Sequence, residues 1–481
     1  VQDGVAFPSL YPYFSVVFKL ILFFIFENSS MTKTIYLLFI LFYSISFAQF
    51  GKDMKISGPL QLSPIIFEAI PYWIDDTTSI GLIFLYRVNP AFLFFAKTGA
   101  AQNEVYEARG ELVVEILDDK DAAVAREFKQ IYLKRNSLPI EGSSPIEEIQ
   151  GALTFKLKKG SYKIVVETKD SESGKSFIDR NKKVDANALS SSMLSIYPLT
   201  LVYTTLSNTL SPNIDKFLPM NRGGDFVIGQ TGGCLIQVMT PDTSADFQLS
   251  WKLRSKDDSD ESIMQELHGE QYIPQFGTPV IVEGSKNISF TVKNDSRYSR
   301  IIFAPVPLER LETGKYSFTV IVNQHDLKSQ KEFSFNVIWP QKPRSLLDFK
   351  IAVSALRHIA TEEEINQMTV FSSDKSQKAF RDFWRKRNPD TTCAFNPTMA
   401  EYYRRVDESI KRFSVGDKPD GYRTDRGRIF ILFGSPTIIN RLLKPNTAPT
   451  EIWTYEKLRQ RFTFADQGKT GNYILIKTEN F

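Results

Sequence analysis

The residues best placed to do chemistry lie in one stretch, Gly421-Tyr422-Arg423-Thr424-Asp425-Arg426-Gly427-Arg428, which runs into Ile429-Phe430-Ile431-Leu432-Phe433-Gly434-Ser435-Pro436. Three kinds of work fit it. Asp425 is a candidate general acid or base, with Glu451 or Asp382 as the second carboxylate of a glycosidase-like pair, although no spacing enforces that pairing. As a recognition surface, Arg423, Arg426, Arg428, Arg385 and Arg387 would converge with Trp384 and Tyr422. Arginine with aromatic rings is the composition of interface anchors and of contacts to carbohydrate or anionic polymers. As scaffold, Asp425 would accept backbone N–H groups in its own loop while Arg426 or Arg428 braces it, and Gly421 and Gly427 would allow the turn. Charged hydrogen bonds of this kind contribute about 1.5–3 kcal/mol each. All three readings stay open on the sequence.

Other reaction classes have no matching pattern. There is no G-x-S-x-G, H-E-x-x-H, phosphate loop or C-x-x-C. Three scattered histidines (His268, His325 and His358) do not make a histidine metal site. Asp417, Asp420 and Asp425 depart from the spacing of an EF-hand. No catalytic residue, metal or cofactor is therefore assigned. Gly223-Gly224-Asp225-Phe226 is similar to part of a diguanylate cyclase signature but lacks its second acidic residue, and it reads as a turn. Asn287-Ile288-Ser289 and Asn294-Asp295-Ser296 fit a glycosylation sequon, which matters only in a eukaryotic secretory pathway. Cys234 and Cys393 either pair in an oxidising compartment or pack as buried thiols. A net charge of +4 is too mild to argue for nucleic acid.

The elements that must position these residues begin with two β-rich stretches. From about 61 to 188, runs such as Ile65–Ile70, Ile80–Tyr86 and Glu111–Leu117 are rich in branched and aromatic residues between turn formers. A second stretch, about 194 to 340, repeats the texture. Leu157-Lys158-Lys159-Gly160-Ser161-Tyr162 matches Leu311-Glu312-Thr313-Gly314-Lys315-Tyr316, and an alternating strand follows each. The spacing resembles the tyrosine corner of immunoglobulin-like and fibronectin type III domains, in which the hydroxyl bonds back to the backbone. Tyr162 and Tyr316 are therefore expected to be structural. The expected fold is multidomain: two tandem β-sandwiches of this kind (49–190 and 191–340), then helices and a small antiparallel sheet as an α+β module (345–481).

After Trp339-Pro340-Gln341-Lys342-Pro343 the pattern turns helical. Leu346, Phe349, Val353 and Leu356 recur at helical spacing, and Thr361-Glu362-Glu363-Glu364 carries an N-cap with a capping-box glutamate. Phe380, Phe383 and Trp384 share one helix face, and Asn388-Pro389 ends that helix. Tyr402, Val406, Ile410 and Phe413 line another, on which Arg404 precedes Asp407 and Glu408 at pairing distance. Strands are expected at Arg428–Phe433 (buried on both faces), Glu451–Tyr455, Gln460–Ala465 and Asn472–Lys477. Trp453 and Tyr455 would share an apolar face with Phe462 and Phe464. At the other end, Met31-Thr32-Lys33, an apolar run and Ser46-Phe47-Ala48 form a secretory signal (31–48) with cleavage after Ala48. Residues 1–30 are an over-extended start or an additional hydrophobic segment. The mature chain is expected to be exported to the periplasm or cell surface and not to span the membrane.

Several motifs in order then give a resemblance. Phe380/Phe383-Trp384-Arg385, Arg387-Asn388-Pro389-Asp390, Tyr402-Tyr403-Arg404-Arg405-Val406, Gly421–Arg428, Ile429–Pro436 and Glu451-Ile452-Trp453-Thr454-Tyr455 together resemble the GWxTD domain of exported bacterial proteins. Tyr422 stands where that signature has tryptophan, so the indole N–H donor is lost. The resemblance carries no activity with it. The G-x-P turn and W-x-Y strand at the end of the chain are also similar to small outer-membrane assembly lipoproteins, without their lipidated cysteine. The resulting expectation is a non-enzymatic envelope protein with a protein partner, the alternative being a polysaccharide-binding protein or hydrolase using the Gly421–Arg428 loop.

Overall fold

In the computed structural model, residues 63–481 are described except for 77, 99–104, 137–148, 187–192, 204–216, 245, 257–261, 268–274, 285–286, 371–372, 417 and 446. The expected signal and its upstream segment lie outside the described residues, as do Asp417 and His268.

The first β region contains β1 (Ile65–Tyr72), β2 (Ser79–Val88), β3 (Ala96–Lys97), β4 (Tyr106–Leu117), β5 (Ala123–Arg135), β6 (Ile149–Lys158), β7 (Ser161–Asp170) and β8 (Ser176–Asp185). They form two sheets, β1-β2-β6 and β3-β4-β7-β8, with β5 on the other edge of β4. The second region contains β9 (Ser195–Tyr203), β10 (Leu218–Pro219), β11 (Phe226–Val227), β12 (Gly232–Met239), β13 (Gln248–Ser255), β14 (Ser262–Leu267), β15 (Gln275–Phe276), β16 (Thr278–Glu283), β17 (Ile288–Lys293), β18 (Ser299–Pro305), β19 (Gly314–Gln324) and β20 (Leu327–Ile338). Its sheets are β10-β9-β12-β18-β15 and β11-β20-β19-β13-β14, with a separate β16-β17 hairpin.

Within each region the two sheets share one core: Phe84 and Phe155 with Val114 and Ile164 in the first, Ile236 and Ile302 with Trp251 and Val320 in the second. A third core joins the regions. Alternate residues of β2 face opposite ways, so Leu82 and Phe84 enter the first core while Ile83 and Leu85 pack with Val202, Leu235 and Ile301 of the second region. The unbroken apolar run Ile80–Leu85 is thus a strand buried on both faces. Gln237 clamps this seam, accepting from Trp73 N at 2.8 Å and donating to Trp73 O at 2.9 Å. Asn221 donates to Tyr86 O at 2.8 Å, and Thr200 donates to Glu68 at 2.9 Å. Residues 64–481 form one compact unit.

The helical segment comprises α1 (Phe349–Ala355), α2 (Glu362–Thr369), α3 (Ser373–Arg385), α4 (Pro397–Phe413) and α5 (Asp425–Phe433); β21 (Ile438–Leu442), β22 (Thr450–Tyr455), β23 (Gln460–Ala465) and β24 (Ile474–Asn480) then form one antiparallel sheet in that order. The capping box forms between Thr361 and Glu364. Asn396 caps α4, accepting from Met399 N at 3.0 Å, and donates to Trp384 O at the end of α3 at 2.7 Å. No described helix is long and apolar enough to cross a membrane.

Two sequence expectations fail here. Arg428–Phe433 lies in a helix, not a strand. The apolar run lacks a helical period because α5 sits between two cores: Ile431 packs with the helices and Ile429 and Phe430 with the sheet. A helix apolar on both sides and a doubly buried strand look alike in sequence. Arg404 bonds back to Glu401 at 2.7 and 2.9 Å rather than forward. Asp407 instead accepts from Arg344 N at 2.6 Å and Ser345 N at 2.8 Å, fixing the linker on α4.

Candidate functional site

The Gly421–Arg428 stretch is a 3-10 turn (Gly421–Arg423) leading into α5. Its glycines provide room rather than an unusual backbone. A Cβ on Gly421 would lie 2.1 Å from Ser409 O of α4, and one on Gly427 would lie 2.0 Å from Gly421 O. The turn therefore wedges against α4, and the first turn of α5 rests on it. Thr424 is the N-cap: its hydroxyl donates to Gly421 O at 2.8 Å and accepts from Gly427 N at 3.0 Å. Such a cap typically contributes about 1 kcal/mol.

Asp425 accepts from Leu475 N at 2.8 Å, so it pins α5 to the last strand, not to its own loop. The bond falls where β24 shifts register against β23, between Thr463 and Phe464, and a bulge of this kind frees ladder groups for other partners. Arg428 lies 3.8 Å from the other oxygen of Asp425, with about two-fifths of its side chain exposed.

Arg426 enters the interior. Its side chain is 13% exposed and reaches Glu451, itself 7% exposed, at 3.4 Å. It donates to Gly471 O at 2.9 Å and lies 4.0 Å above the Tyr473 ring. Glu451 also accepts from Arg441 at 3.0 Å and from the Trp453 indole at 3.2 Å. This Arg–Glu–Trp cluster joins α5 to the inner face of the sheet.

Tyr422 and Trp384 do come together, as core residues each 3% exposed. The Tyr422 hydroxyl lies 3.2 Å from Ser354 Oγ of α1, and Arg423 donates to both, at 3.0 Å each. The Tyr422 carbonyl accepts from His358 at 2.9 Å. Burial pushes the His358 pKa down, that bond opposes the shift, and the charges of Arg357 and Arg428 add to it.

The arginines do not converge. Arg387 stacks 3.6 Å over the Phe383 ring and donates to Glu364 at 3.3 Å. Arg385 is exposed and paired with Asp382 at 3.1 Å. Asp382 is thus engaged on the surface of α3, while Glu451 is held inside by Arg426, Arg441 and Trp453. Among the described residues no three His, Cys, Asp or Glu side chains gather as a metal ion would require.

Sequence reasoning noted Arg405 and Glu451 but missed that they receive the motif. Arg405 donates to Ile431 O at 3.1 Å and Leu432 O at 3.3 Å, covering the end of α5. Gly434 follows with φ +79, and its carbonyl accepts from Tyr455 at 2.8 Å. Thr424-Asp425 before the apolar run and Gly434 after it are helix start and stop signals, and they were the available clue to α5.

The pattern of the GWxTD family matches residues 319–481. The chain carries a GWxTD domain. The domain starts inside β19, so it includes the β19–β20 hairpin as well as the helices and final sheet. Phe395 packs against the core of the second β region together with Trp339, the two rings edge-on at 5.4 Å. A Cβ on Gly229 (φ +76) would lie 2.5 Å from Phe395 Cβ. No curated protein matches the chain. Among solved structures, a family 123 glycoside hydrolase from Clostridium perfringens, described for glycolipid glycan hydrolysis, is similar over 40% of this chain and 36% of its own. The chain thus spans about a third of that structure. At 12% identity and a TM-score of 0.15, the likeness carries no argument.

In the β regions, Tyr162 donates to Lys158 O at 2.9 Å and Tyr316 to Glu312 O at 3.0 Å. Each bonds four residues back, as the repeated spacing implies. Gly223-Gly224-Asp225 is a turn in which Asp225 accepts from the Asn336 backbone and side chain at 3.0 and 2.8 Å. Cys234 is buried and Cys393 partly so, and both are free thiols.

Proposed function

We propose that this is a non-enzymatic, exported envelope protein whose tandem β-sandwiches, of immunoglobulin or fibronectin kind, present the GWxTD domain to a protein partner. One observation carries the reading. The polar groups of Thr424, Asp425 and Arg426 are engaged inside the domain, while large apolar side chains of the same domain, such as Val370 (76%) and Leu443 (74%), stand exposed. Residues spent on internal bonds are poor candidates for catalysis, and exposed large apolar side chains are available to a docking partner. The two tyrosine bonds support the sandwich reading, and the signal-like stretch 31–48 supports export. The alternative of glycan binding or hydrolysis through Gly421–Arg428 loses its open loop.

The test is crosslinking of the full chain in envelope extract, with the crosslinked sites mapped by mass spectrometry. Crosslinks to a protein concentrated within 345–481 are expected. Crosslinks confined to the β regions, or none to any protein, would overturn the reading.

A further inference from the structure

On the GWxTD domain, α2 and α3 enclose a groove of about 360 Å³, near the lower end of ligand-binding clefts at about 300–1,000 Å³. Its floor is lined by Met368 and Phe383, each at most 3% exposed, and by Ala379, with Arg387 over one face of the Phe383 ring. Its rim carries Lys375, Lys378 and Lys386, all exposed. Two carboxylates also line it, and both are occupied. Glu364 accepts from Thr361 N at 2.9 Å and Arg387 at 3.3 Å, and Asp382 pairs with Arg385 at 3.1 Å. Among the described residues none of the three lysine ammonium groups has an ion-pair partner.

An apolar floor with uncompensated cations around it is half of a complementary pair. Methionine adapts to varied apolar shapes, and a ring of like charge selects a partner of the opposite sign. We infer that the α2–α3 groove is the docking site for an acidic peptide segment of a partner protein, one bulky apolar side chain seated on Met368 and Phe383 and flanking carboxylates against Lys375, Lys378 and Lys386. This rests on the protein-docking reading above and names its surface and its chemistry. A membrane surface fits less well, because the floor is recessed between two helices, whereas a lipid interface takes a broad apolar face.

The probe is a fluorescein-labelled octapeptide of glutamates and aspartates around a central Leu-Phe pair, titrated into the full chain at low salt and followed by anisotropy. A second octapeptide replaces Leu-Phe by Ser-Ser. The first is expected to bind about tenfold more tightly or better, since it removes a large apolar side chain from water. The triple variant Lys375→Glu, Lys378→Glu, Lys386→Glu should lose about tenfold or more of that binding, with Tm little changed because the three side chains are exposed. A control variant, Lys328→Glu, Lys331→Glu, Lys342→Glu, alters net charge equally and should bind as wild type. Equal binding of the two peptides, equal loss in the two variants, no binding, or binding only to phosphatidylglycerol vesicles would each overturn the inference. Repeating the envelope crosslinking with the first triple variant separates the two levels. A partner captured by wild type and variant alike sinks the groove but spares docking, whereas capture by neither sinks docking itself.

Discussion

In the β regions the residues that stand out in sequence are aromatic, and each makes one bond within an apolar framework. Tyr162 and Tyr316 reach carbonyls four residues back, while sheet-on-sheet packing of residues such as Phe84, Ile236 and Trp251 fills the cores. In the GWxTD domain the conspicuous residues are polar, and they cross between elements: Asp425 from α5 to β24, Arg426 from α5 to β22, Arg405 from α4 to the end of α5. Short helices around a small sheet offer few long ladders, so charged side chains take over the work of registering one element on another. A cluster of Thr, Asp and Arg that is open in sequence to catalysis, recognition or scaffolding is an internal brace in space.

The sharpest way to break this contrast is Glu451→Ala. It strands Arg426, which is 13% exposed, and should cost about 3–5 kcal/mol by chemical denaturation. Arg441→Ala removes a partner that is 68% exposed and should cost no more than about 1 kcal/mol. Equal effects would mean that the cluster behaves as a surface network. Next in size is Gly427→Ala, whose methyl would meet Gly421 O at 2.0 Å. Destabilisation of about 1–3 kcal/mol is expected, and a neutral result would show that the turn is loosely seated.

On the β side, Tyr162→Phe and Tyr316→Phe should each cost about 1 kcal/mol, with Tyr162, the more buried of the two, the more sensitive. A larger loss for Tyr316 would contradict the observed packing. The last comparison concerns the seam. Glu68 as a whole residue keeps some exposure, yet its carboxyl lies within the seam and burial pushes its pKa from 4.5 up to about 7, against the opposing Thr200 hydrogen bond. The folded state then binds more protons than the unfolded state between those values, so stability should fall as pH rises from about 4.5 to about 7 and level off above. Glu68→Gln should flatten that slope in urea melts taken across the interval, and an unchanged slope would assign it to other groups.

Much of this architecture was legible because local signals agreed with it. The repeated L-x-x-G-x-Y spacing, the Thr361–Glu364 capping box and the strand at Gln460–Ala465 all depend on neighbours in sequence. What was not legible depends on distant partners. The run Ile80–Leu85 announces a strand but not that its second face meets Val202 and Leu235. The run Ile429–Phe433 announces burial but not helix, because both of its sides are covered. The signature residues were found, and Arg405 and Glu451 were noted as motif residues, but no spacing reveals that these two, with Ser354 and the backbone of Leu475, receive the signature.

A double-mutant cycle between Arg426 and Glu451, using Arg426→Met, Glu451→Gln and the double variant in urea denaturation, tests the internal brace most directly. A coupling of at least about 1.5 kcal/mol, with each single variant clearly destabilised, is the predicted result. Coupling within about 0.3 kcal/mol of zero, with both single variants near wild-type stability, would contradict it and return the Gly421–Arg428 stretch to the surface as a site free to bind or to react.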